Sequence, residues 1–258
     1  MKFVTFNIRY SWDADGINSF LHRFGAILYK LDTEKPDVVC FQEATDRMCE
    51  LLRRHLPDYE FTGCGREKDF GGETMLTAVR KETFSVLSSE TFWLSPTPLV
   101  PGSRHEGQNV CPRTCNLTVI RENGGGRTVR VYNAHLDYEK ESIRVLEARQ
   151  VADRITADTN GFALPVILAG DFNAGPSDGS VLEISKAKPS LTDLAAGFEN
   201  TFHNFGKLVN PPYVPGKIDY IFASPELAEN AGKALLWEDC SDGIWLSDHY
   251  PIEVDIGL

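Results

Sequence analysis

The spacing of hydrophobic and polar residues changes several times along the chain, and each change predicts a new helix, strand or loop. Residues 3–8 and 36–43 are short apolar runs, which are typical of buried strands. Residues 19–32 carry apolar side chains at helical spacing, and residues 45–56 repeat that amphipathic pattern. The first part of the chain therefore predicts strands that alternate with helices.

The middle of the chain predicts antiparallel strands. Residues 74–95 have the pattern of two or three strands, and residues 96–115 contain Pro, Gly, Ser and Arg without periodicity, which predicts a long loop. The strands predicted at 116–122 and 128–136 flank "NGGG", which is a hairpin signal. Further predicted elements are a helix at 139–157 and strands at 164–173, 217–224 and 251–258.

This order of elements predicts an α/β fold in which two packed sheets carry helices on their outer faces. A doubly wound parallel sheet is disfavoured, because hairpin signals lie between several pairs of strands. The chain has 258 residues and contains neither repeats nor a low-complexity linker, so we expect one domain.

Charge narrows the range of partners. The chain has 26 basic and 37 acidic residues, which gives a formal net charge of −11. An acidic surface repels polyphosphate backbones unless cations or local Lys and Arg side chains intervene. This balance disfavours non-specific binding to a duplex, but it leaves room for a metal site that binds a single phosphate.

The cysteines and the first residues of the chain indicate the cellular compartment. The chain starts directly on a strand-like pattern without a signal peptide, and no apolar run approaches the roughly 18 residues of a membrane span. Six cysteines in a chain of this size are expected to be free thiols. Cys111 and Cys115 form C-x3-C, but a structural zinc would need two further soft ligands. We expect a cytoplasmic monomer without a membrane partner.

Polar side chains follow apolar strands at the strands' carboxyl ends. They are Asn7, Glu43, His135, Asp171 and Asn173. Burying such groups is costly unless they are paired or bind a metal. Each has an ordinary alternative, since Glu43 could begin the next helix and "GDFNAGP" is also good turn chemistry. Five of them in the same kind of position nevertheless indicate a shared site.

Asp248 and His249 stand side by side in "WLSDHYPIE" near the end of the chain. Carboxylate and amide oxygens suit Mg²⁺ or Mn²⁺, which can offset charge on a phosphoryl group. A nearby His can act as an acid or base near neutral pH, and Asp219 could orient it. The alternatives are that Asp248 is a turn residue and that Asp219 pairs with Lys217 on a surface strand.

Six motifs then carry a family resemblance: "TFNIRY", "FQEA", "NAHLD", "GDFNAGP", "IDYIF" and "SDHYPI", in this order over residues 3–252. They resemble the endonuclease/exonuclease/phosphatase superfamily, which includes deoxyribonuclease I, abasic-site endonucleases, nocturnin-related deadenylases, neutral sphingomyelinases and inositol-polyphosphate 5-phosphatases. The stretches "SSETFWLSPTPLVPGS" and "CPRTCNLTVI" are similar to a bacterial subgroup near the deadenylase branch. The resemblance implies one domain over residues 1–258. It also implies a four-layered α/β/β/α sandwich whose two mixed, mainly antiparallel sheets are flanked by helices.

The resemblance also implies roles for the strand-end residues. Glu43 is expected to be the main ligand of Mg²⁺ or Mn²⁺, and Asn7 and Asp248 are expected to complete the metal and phosphate site. Asp171 would orient or deprotonate the attacking water, and Asn173 would hold the phosphate.

The histidines and one arginine take further roles by the same resemblance. His249, backed by Asp219, would act as the base or bind the scissile phosphate, and the choice between Asp171 and His249 as base stays open. His135 would stabilise the charge that develops on phosphorus. Arg113 falls where relatives often place a phosphate-contacting arginine, although a surface salt bridge is the alternative.

The long loop at 96–115 is expected to shape the substrate pocket. An acidic protein needs local positive charge to hold a phosphate, so Arg104 and Arg113 are candidate contacts. A nucleobase needs an aromatic face, for which Phe70 and Trp245 are candidates, although both could equally be core residues.

The sequence thus predicts a Mg²⁺- or Mn²⁺-dependent phosphoesterase. The favoured substrate is a phosphodiester in single-stranded nucleic acid, cut in an exonuclease-like manner, or in a nucleotide-like molecule. The alternatives are a phosphatase that acts on a small phosphorylated metabolite, a non-catalytic phosphate-binding protein with the same fold, and a zinc protein built around Cys111 and Cys115.

Overall fold

The computed structural model describes residues 1–207 and 216–258 and contains two six-stranded sheets, a small two-stranded sheet and five α-helices among those residues. The strands are β1 (Lys2–Asn7), β2 (Val38–Ala44), β3 (Tyr59–Thr62), β4 (Thr74–Arg80), β5 (Phe84–Trp93), β6 (Thr114–Glu122), β7 (Thr128–His135), β8 (Val166–Asp171), β9 (Thr192–Asp193), β10 (Asp219–Ala223), β11 (Leu235–Leu236), β12 (Cys240–Ser241), β13 (Ile244–Trp245) and β14 (Ile252–Asp255). The helices are α1 (Phe20–Glu34), α2 (Asp46–His55), α3 (Glu141–Gly161), α4 (Gly179–Ile184) and α5 (Pro225–Ala228), and a 3-10 helix spans Asp13–Asn18.

The two large sheets are mixed and mainly antiparallel, as predicted. The first sheet has the strand order β11-β14-β1-β2-β4-β3, and the second has the order β5-β6-β7-β8-β10-β9. Only β1 with β2 and β7 with β8 run parallel among the strand pairs of the described residues. The predicted "NGGG" hairpin is confirmed as the antiparallel pair β6–β7.

Three apolar clusters define four layers. One cluster joins α1 and α2 to the first sheet, for example through Ile27, Met48 and Phe41. A second lies between the sheets and contains Phe3 from one and Ile167 from the other. The third packs α3 and α4 on the outer face of the second sheet. The four-layered α/β/β/α sandwich is therefore confirmed, and strands between two apolar layers explain the continuous apolar runs in the sequence.

Several boundaries differ from the predicted ones. The long loop ends at residue 113, because β6 already begins at Thr114, and α3 continues to Gly161 instead of ending at 157. β3 and α4 were not predicted, since segments of four and six residues are too short to show a clear period. Within the described ranges, no helix combines the length and apolar character that crossing a membrane requires.

Candidate active site

Strand pairing brings the polar strand ends to one place. In the second sheet, Asp171 at the end of β8 lies opposite His135 on β7 and opposite Asp219 on β10. Asn7 ends β1 of the first sheet, and its Nδ2 donates a hydrogen bond of 2.9 Å to Asp171 Oδ2. The site therefore lies where the two sheets meet at their strand ends.

Glu43 is held from two sides. Its Oε1 accepts a hydrogen bond of 3.1 Å from Asn7 Nδ2, and its Oε2 accepts one of 2.9 Å from the Tyr10 amide. Burial acts to raise the pKa of Glu43, but the Arg9 charge and the Tyr10 amide outweigh it and hold that pKa below its usual value. Glu43 is thus an ionised carboxylate at neutral pH.

The backbone at Glu43 is unusual. The pairing of β2 with β4 shifts register between Phe41 and Ala44, and Glu43 has a φ of 63°. A side chain at positive φ is uncommon and marks a bend that the surroundings must maintain. The bulge belongs to β2 itself, whereas α2 begins only at Asp46, so Glu43 is a strand residue and not the first residue of the helix.

His249 and Asp219 form a buried pair. Their Nδ1 and Oδ2 atoms are 2.9 Å apart, and the Thr201 hydroxyl donates a second hydrogen bond of 2.6 Å to the same Oδ2. Burial acts to lower the pKa of His249, but Asp219 outweighs it and raises the pKa to about 10. His249 is therefore a cation at neutral pH, and its Nε2 lies 3.8 Å from Asp171 Oδ2.

Asp171 lies between these groups with a shifted pKa. Burial and the Asp219 charge raise the pKa of Asp171 to about 7, against the opposing effect of His249. Its Oδ1 accepts a hydrogen bond of 2.8 Å from the Asn173 amide. The preceding Gly170 has a φ of 141°, and a Cβ there would lie 1.9 Å from the Ala134 carbonyl oxygen, so only glycine fits.

Asn173 connects Asp171 to His135. The strand ends at Asp171, and Asn173 follows it with a φ of 49°. Its Nδ2 donates to His135 Nε2 at 2.9 Å, and His135 Nε2 lies 3.5 Å from Asp171 Oδ2. Burial, together with the Arg113 and Arg66 charges, lowers the pKa of His135 well below its usual value, so this imidazole is neutral.

Asp248 occupies a neighbouring position beside Arg9. Its Oδ1 accepts a hydrogen bond of 3.1 Å from Ser247 Oγ, and its Oδ2 lies 3.6 Å from Arg9 Nε. Burial raises the pKa of Asp248, although His249 and Arg9 oppose this effect. The role of Asp248 as a metal ligand stays a prediction.

The donor set fits a hard divalent cation. Glu43, His135 and Asp171 each offer a ligand atom within 4.8 Å of the others, and Asp171, Asp219 and His249 form a second such group. Carboxylate oxygens suit Mg²⁺ or Mn²⁺. The first group fits better, because the second contains a cationic imidazole that is already bound to Asp219.

The Arg113 guanidinium stands out by its lack of a partner. Arg113 is only 4% exposed, and its side chain makes no hydrogen bond or ion pair with the described residues. It lies 5.8 Å from the centre of the Tyr138 ring. Arg66, by contrast, binds Glu73 through two hydrogen bonds of 2.7 and 2.8 Å. A buried guanidinium whose N–H groups have no hydrogen-bonded partner is well suited to bind an anion.

The other predicted substrate contacts lie in different surroundings. Arg104 is exposed and donates to the Asn109 carbonyl oxygen at 2.7 Å. Phe70 is 54% exposed and meets Trp93 edge-on at 6.1 Å between ring centres. Trp245 is half-buried and packs on His203 at 4.5 Å. No hydrogen bond or ion pair within the described ranges joins these three to the strand-end residues, and their roles stay predictions.

An aromatic pair beside the site was not predicted. Tyr10 and Trp12 stack with ring centres 6.1 Å apart, and the Arg9 guanidinium lies over the Tyr10 ring at 4.5 Å. Trp12 is 49% exposed. Tyr10 is part of "TFNIRY", so its nearness to Asn7 in the sequence was the available signal.

The structure gives no support to a zinc site at the C-x3-C motif. All six cysteines are free, and Cys115 is buried in β6. Among the residues that the structure describes, neither Cys111 nor Cys115 belongs to a group that could hold a metal.

Comparisons with known proteins agree with the fold. A sequence model of the endonuclease/exonuclease/phosphatase family matches residues 4–249, and no curated protein sequence matches the chain. An endonuclease/exonuclease/phosphatase from Bacteroides vulgatus has a TM-score of 0.90 at 26% identity, over 100% of this chain and 98% of that chain. A mannosyl-6-phosphatase from Bacteroides thetaiotaomicron has a TM-score of 0.86 at 25% identity, over 100% of both chains. D. rerio TDP2, in complex with a single-strand DNA product, shares the fold with a TM-score of 0.74 at 20% identity, over 100% and 99%.

Proposed function

The chain belongs to the endonuclease/exonuclease/phosphatase family, and from this premise we propose that it hydrolyses a phosphate ester with the help of Mg²⁺ or Mn²⁺. The observation that best supports this function is that two groups of possible ligands, Glu43–His135–Asp171 and Asp171–Asp219–His249, share Asp171. The charge of the buried Arg113, which has no side-chain partner among the described residues, acts on His135 of the first group. Acidic ligands, a titratable acid and free positive charge are the three requirements of metal-assisted phosphoryl transfer. A non-catalytic phosphate-binding protein would not need the first two.

Glu43 is the proposed main metal ligand, with the Asn7 side chain beside it. When bound, the ion would neutralise charge on the phosphoryl oxygens. Glu43 suits this role because it is ionised at neutral pH. The Tyr10 and Asn7 hydrogen bonds fix both of its carboxylate oxygens, which keeps the ligand in place before substrate arrives.

Asp171 is the better candidate for the general base. A base works best when its pKa lies near the operating pH, and burial raises that of Asp171 to about 7. His249 carries a proton at neutral pH, because Asp219 raises its pKa to about 10. We therefore assign His249 to binding the scissile phosphate as a cation and Asp171 to receiving the proton of the attacking water.

His135, Asn173 and Arg113 complete the proposed phosphoryl site. The neutral His135 accepts from Asn173, so its other ring nitrogen carries the proton and the imidazole is held in one orientation. Arg113 can offer two parallel N–H groups to phosphoryl oxygens. These donors would favour the transition state, in which negative charge accumulates on the phosphoryl group.

The substrate is proposed from the net charge, from the aromatic side chains near the site and from the similarity to known proteins. A phosphodiester in single-stranded nucleic acid or a nucleotide-like molecule agrees with the acidic net charge of −11 and with the aromatic pair Tyr10 and Trp12. The second candidate is a phosphatase for a small phosphorylated metabolite, which the full-length similarity to a mannosyl-6-phosphatase favours. Membership of the deadenylase branch stays a prediction.

The proposal is tested with purified protein and a substrate panel in Mg²⁺, Mn²⁺ or excess chelator. The panel contains short oligonucleotides, dinucleotide cofactors, sugar phosphates and inositol phosphates. We expect turnover that chelator abolishes and that Glu43→Gln lowers by at least about 100-fold, since one ligand charge is lost. Glu253→Gln is the matched control, because Glu253 is buried in β14 and accepts from Trp237 Nε1. Full activity in chelator would refute metal dependence, and no turnover of any ester would refute catalysis.

A further inference from the structure

Glu147 is a fully buried carboxyl group on α3 that the proposed chemistry does not use. Its Oε2 accepts a hydrogen bond of 2.7 Å from the amide of Asp137, two residues beyond His135. Its Oε1 accepts one of 3.1 Å from Gln108 Nε2 in the long loop. Glu147 thus joins the helix to the end of β7 and to the loop that carries Arg113.

The segment 108–111 is fixed by further hydrogen bonds at this junction. Gln108 Nε2 also donates to the Cys111 carbonyl oxygen at 3.1 Å, and Asn109 Oδ1 accepts from the Cys111 amide at 2.8 Å. Asn109 Nδ2 donates to Asp137 Oδ2 at 2.9 Å. Because only Pro112 separates this segment from Arg113, the position of the guanidinium depends on how the segment is anchored.

Three charged groups act on Glu147, and two of them are already compensated. Arg144 on α3 binds Asp178 at 2.7 Å. Asp137 on the turn after β7 accepts hydrogen bonds from two amides at the start of α3. Arg113 on the loop has no partner among the described residues. The charge state of Glu147 is therefore felt mainly at Arg113.

We propose that Glu147 is a positioning residue of the phosphoryl site, which anchors the 108–113 segment and leaves the Arg113 charge available to an anion only while Glu147 carries a proton. This inference rests on the proposed function for the identity of the anion, a phosphoryl group. Burial raises the pKa of Glu147 to about 8, so the carboxyl is neutral at pH 7 and ionises under mildly alkaline conditions. The new negative charge then competes with substrate for Arg113.

Sulfate is a suitable probe, because its charge stays constant over the pH range in which Glu147 titrates. Calorimetric titration of the Mg²⁺-loaded protein from about pH 6.5 to about pH 9 should show sulfate affinity falling by about fivefold or more, as is typical of coupled sites. The upper limit of pH 9 keeps His249 charged, since its pKa lies at about 10. By linkage, sulfate binding near pH 8.5 must also take up protons, which buffers of different ionisation enthalpy reveal.

Three variants separate the two parts of the proposal. Glu147→Gln cannot ionise, so it should keep its sulfate affinity at alkaline pH apart from the contribution of Asp171, which titrates in both proteins. Gln108→Ala removes one anchor and keeps the titrating carboxyl, so it should bind sulfate more weakly at every pH and retain the pH dependence. Glu253→Gln, on the distant β14, should match the wild type.

The outcomes are decisive even without catalysis. An equal pH dependence in Glu147→Gln and wild type, or no sulfate binding at any pH, would overturn the proposal. Should Glu147→Gln fail to fold, the wild type decides: a loss of sulfate affinity centred near pH 8 with proton uptake near pH 8.5 supports Glu147, whereas a loss centred only near pH 7, where Asp171 titrates, overturns the proposal. An inactive protein with the expected sulfate behaviour would refute the proposed hydrolysis and support this inference.

Discussion

Replacing Asp219 with Asn tests whether the charge of Asp219, and not its hydrogen bonds, governs His249. Asp219 Oδ2 accepts from both the Thr201 hydroxyl and His249 Nδ1, whereas Oδ1 is buried and has no hydrogen-bond partner among the described residues. An Asn side chain can keep its oxygen at the Oδ2 position and place its amide at Oδ1. The substitution therefore removes the negative charge and preserves both hydrogen bonds.

The expected loss of activity follows from the pKa of His249. Asp219 is the main cause that raises it from 6.5 to about 10, and burial opposes this effect. Without the Asp219 charge, we expect the pKa to fall towards 6.5, because burial still lowers it while the Asp171 and Asp248 charges still raise it. At a pKa of 6.5 the imidazole would be protonated in about a tenth of the molecules at pH 7.5, since each unit above the pKa lowers that fraction about tenfold. Activity should fall at least about tenfold at pH 7.5 and recover partly near pH 6.

Stability should respond in a pH-dependent manner as well. A raised folded-state pKa means that the pair stabilises the fold fully below pH 6.5, and that this contribution is lost as the pH rises through about 10. Removing one partner of a buried pair costs about 3 kcal/mol or more. The Asp219→Asn deficit in unfolding free energy should therefore be largest near pH 6 and shrink towards pH 10.

The assay combines NMR titration of the His249 ring with turnover and urea unfolding across pH. Thr201→Val is the control, because it removes the hydroxyl that donates to Asp219 Oδ2 and accepts from the Ile218 and Asp219 amides, and it leaves the Asp219 charge. The His249 pKa should therefore stay far above 6.5. A His249 pKa near 10 in Asp219→Asn would refute the reasoning. So would a loss of activity that is the same at pH 6 and pH 7.5.

Three further predictions follow from other parts of the site. Gly170→Ala should lower the unfolding free energy by about 3 kcal/mol in denaturant titration, because the new Cβ would meet the Ala134 carbonyl oxygen. The control Gly175→Ala places its Cβ in open space and should change the unfolding free energy little. Arg113→Ala should raise KM about tenfold or more through the loss of a charged contact. The Arg104 guanidinium is exposed, so Arg104→Ala should change KM far less, and equal effects of the two variants would remove Arg113 from the site. Trp12→Ala should weaken the binding of a nucleotide by about fivefold or more and leave the binding of inorganic phosphate unchanged. An equal loss of affinity for both ligands would exclude stacking of the base on Trp12.

The sequence was informative where a residue's role follows from its strand. The positions of Asn7, Glu43, His135 and Asp171 could be predicted because each follows an apolar run, and strand ends meet at one edge of a sheet. Asn7 and Asp171 are 164 residues apart in the chain, but the packing of the two sheets brings Asn7 Nδ2 to 2.9 Å from Asp171 Oδ2. The family motifs added the expectation that all of them act on one phosphate.

Loops were less predictable, because their contacts depend on tertiary packing and not on period. The Glu147 junction has no sequence signature, since it joins α3 to a loop 39 residues earlier that comes together with it only in the fold. The aromatic pair of Tyr10 and Trp12 is similar, because an exposed aromatic near a strand end can belong to a core or a surface. Arg104 was predicted from charge demand alone and Arg113 from charge demand and the family resemblance, and neither argument could show that Arg113 is buried and Arg104 exposed.

Backbone geometry gives an independent reason to place function at this edge of the sandwich. Glu43, Asn173 and Arg9 are three of the eight non-glycine residues with positive φ among the described residues. Such conformations cost about 1 kcal/mol or more each and persist only where the surroundings enforce them. At Glu43 and Asn173 the enforcing contacts are hydrogen bonds to other site residues, namely Asn7 and His135. A fold selected for stability alone would relax these positions, so their strain agrees with the proposed phosphoryl site, in which a carboxylate and an amide are held in fixed positions.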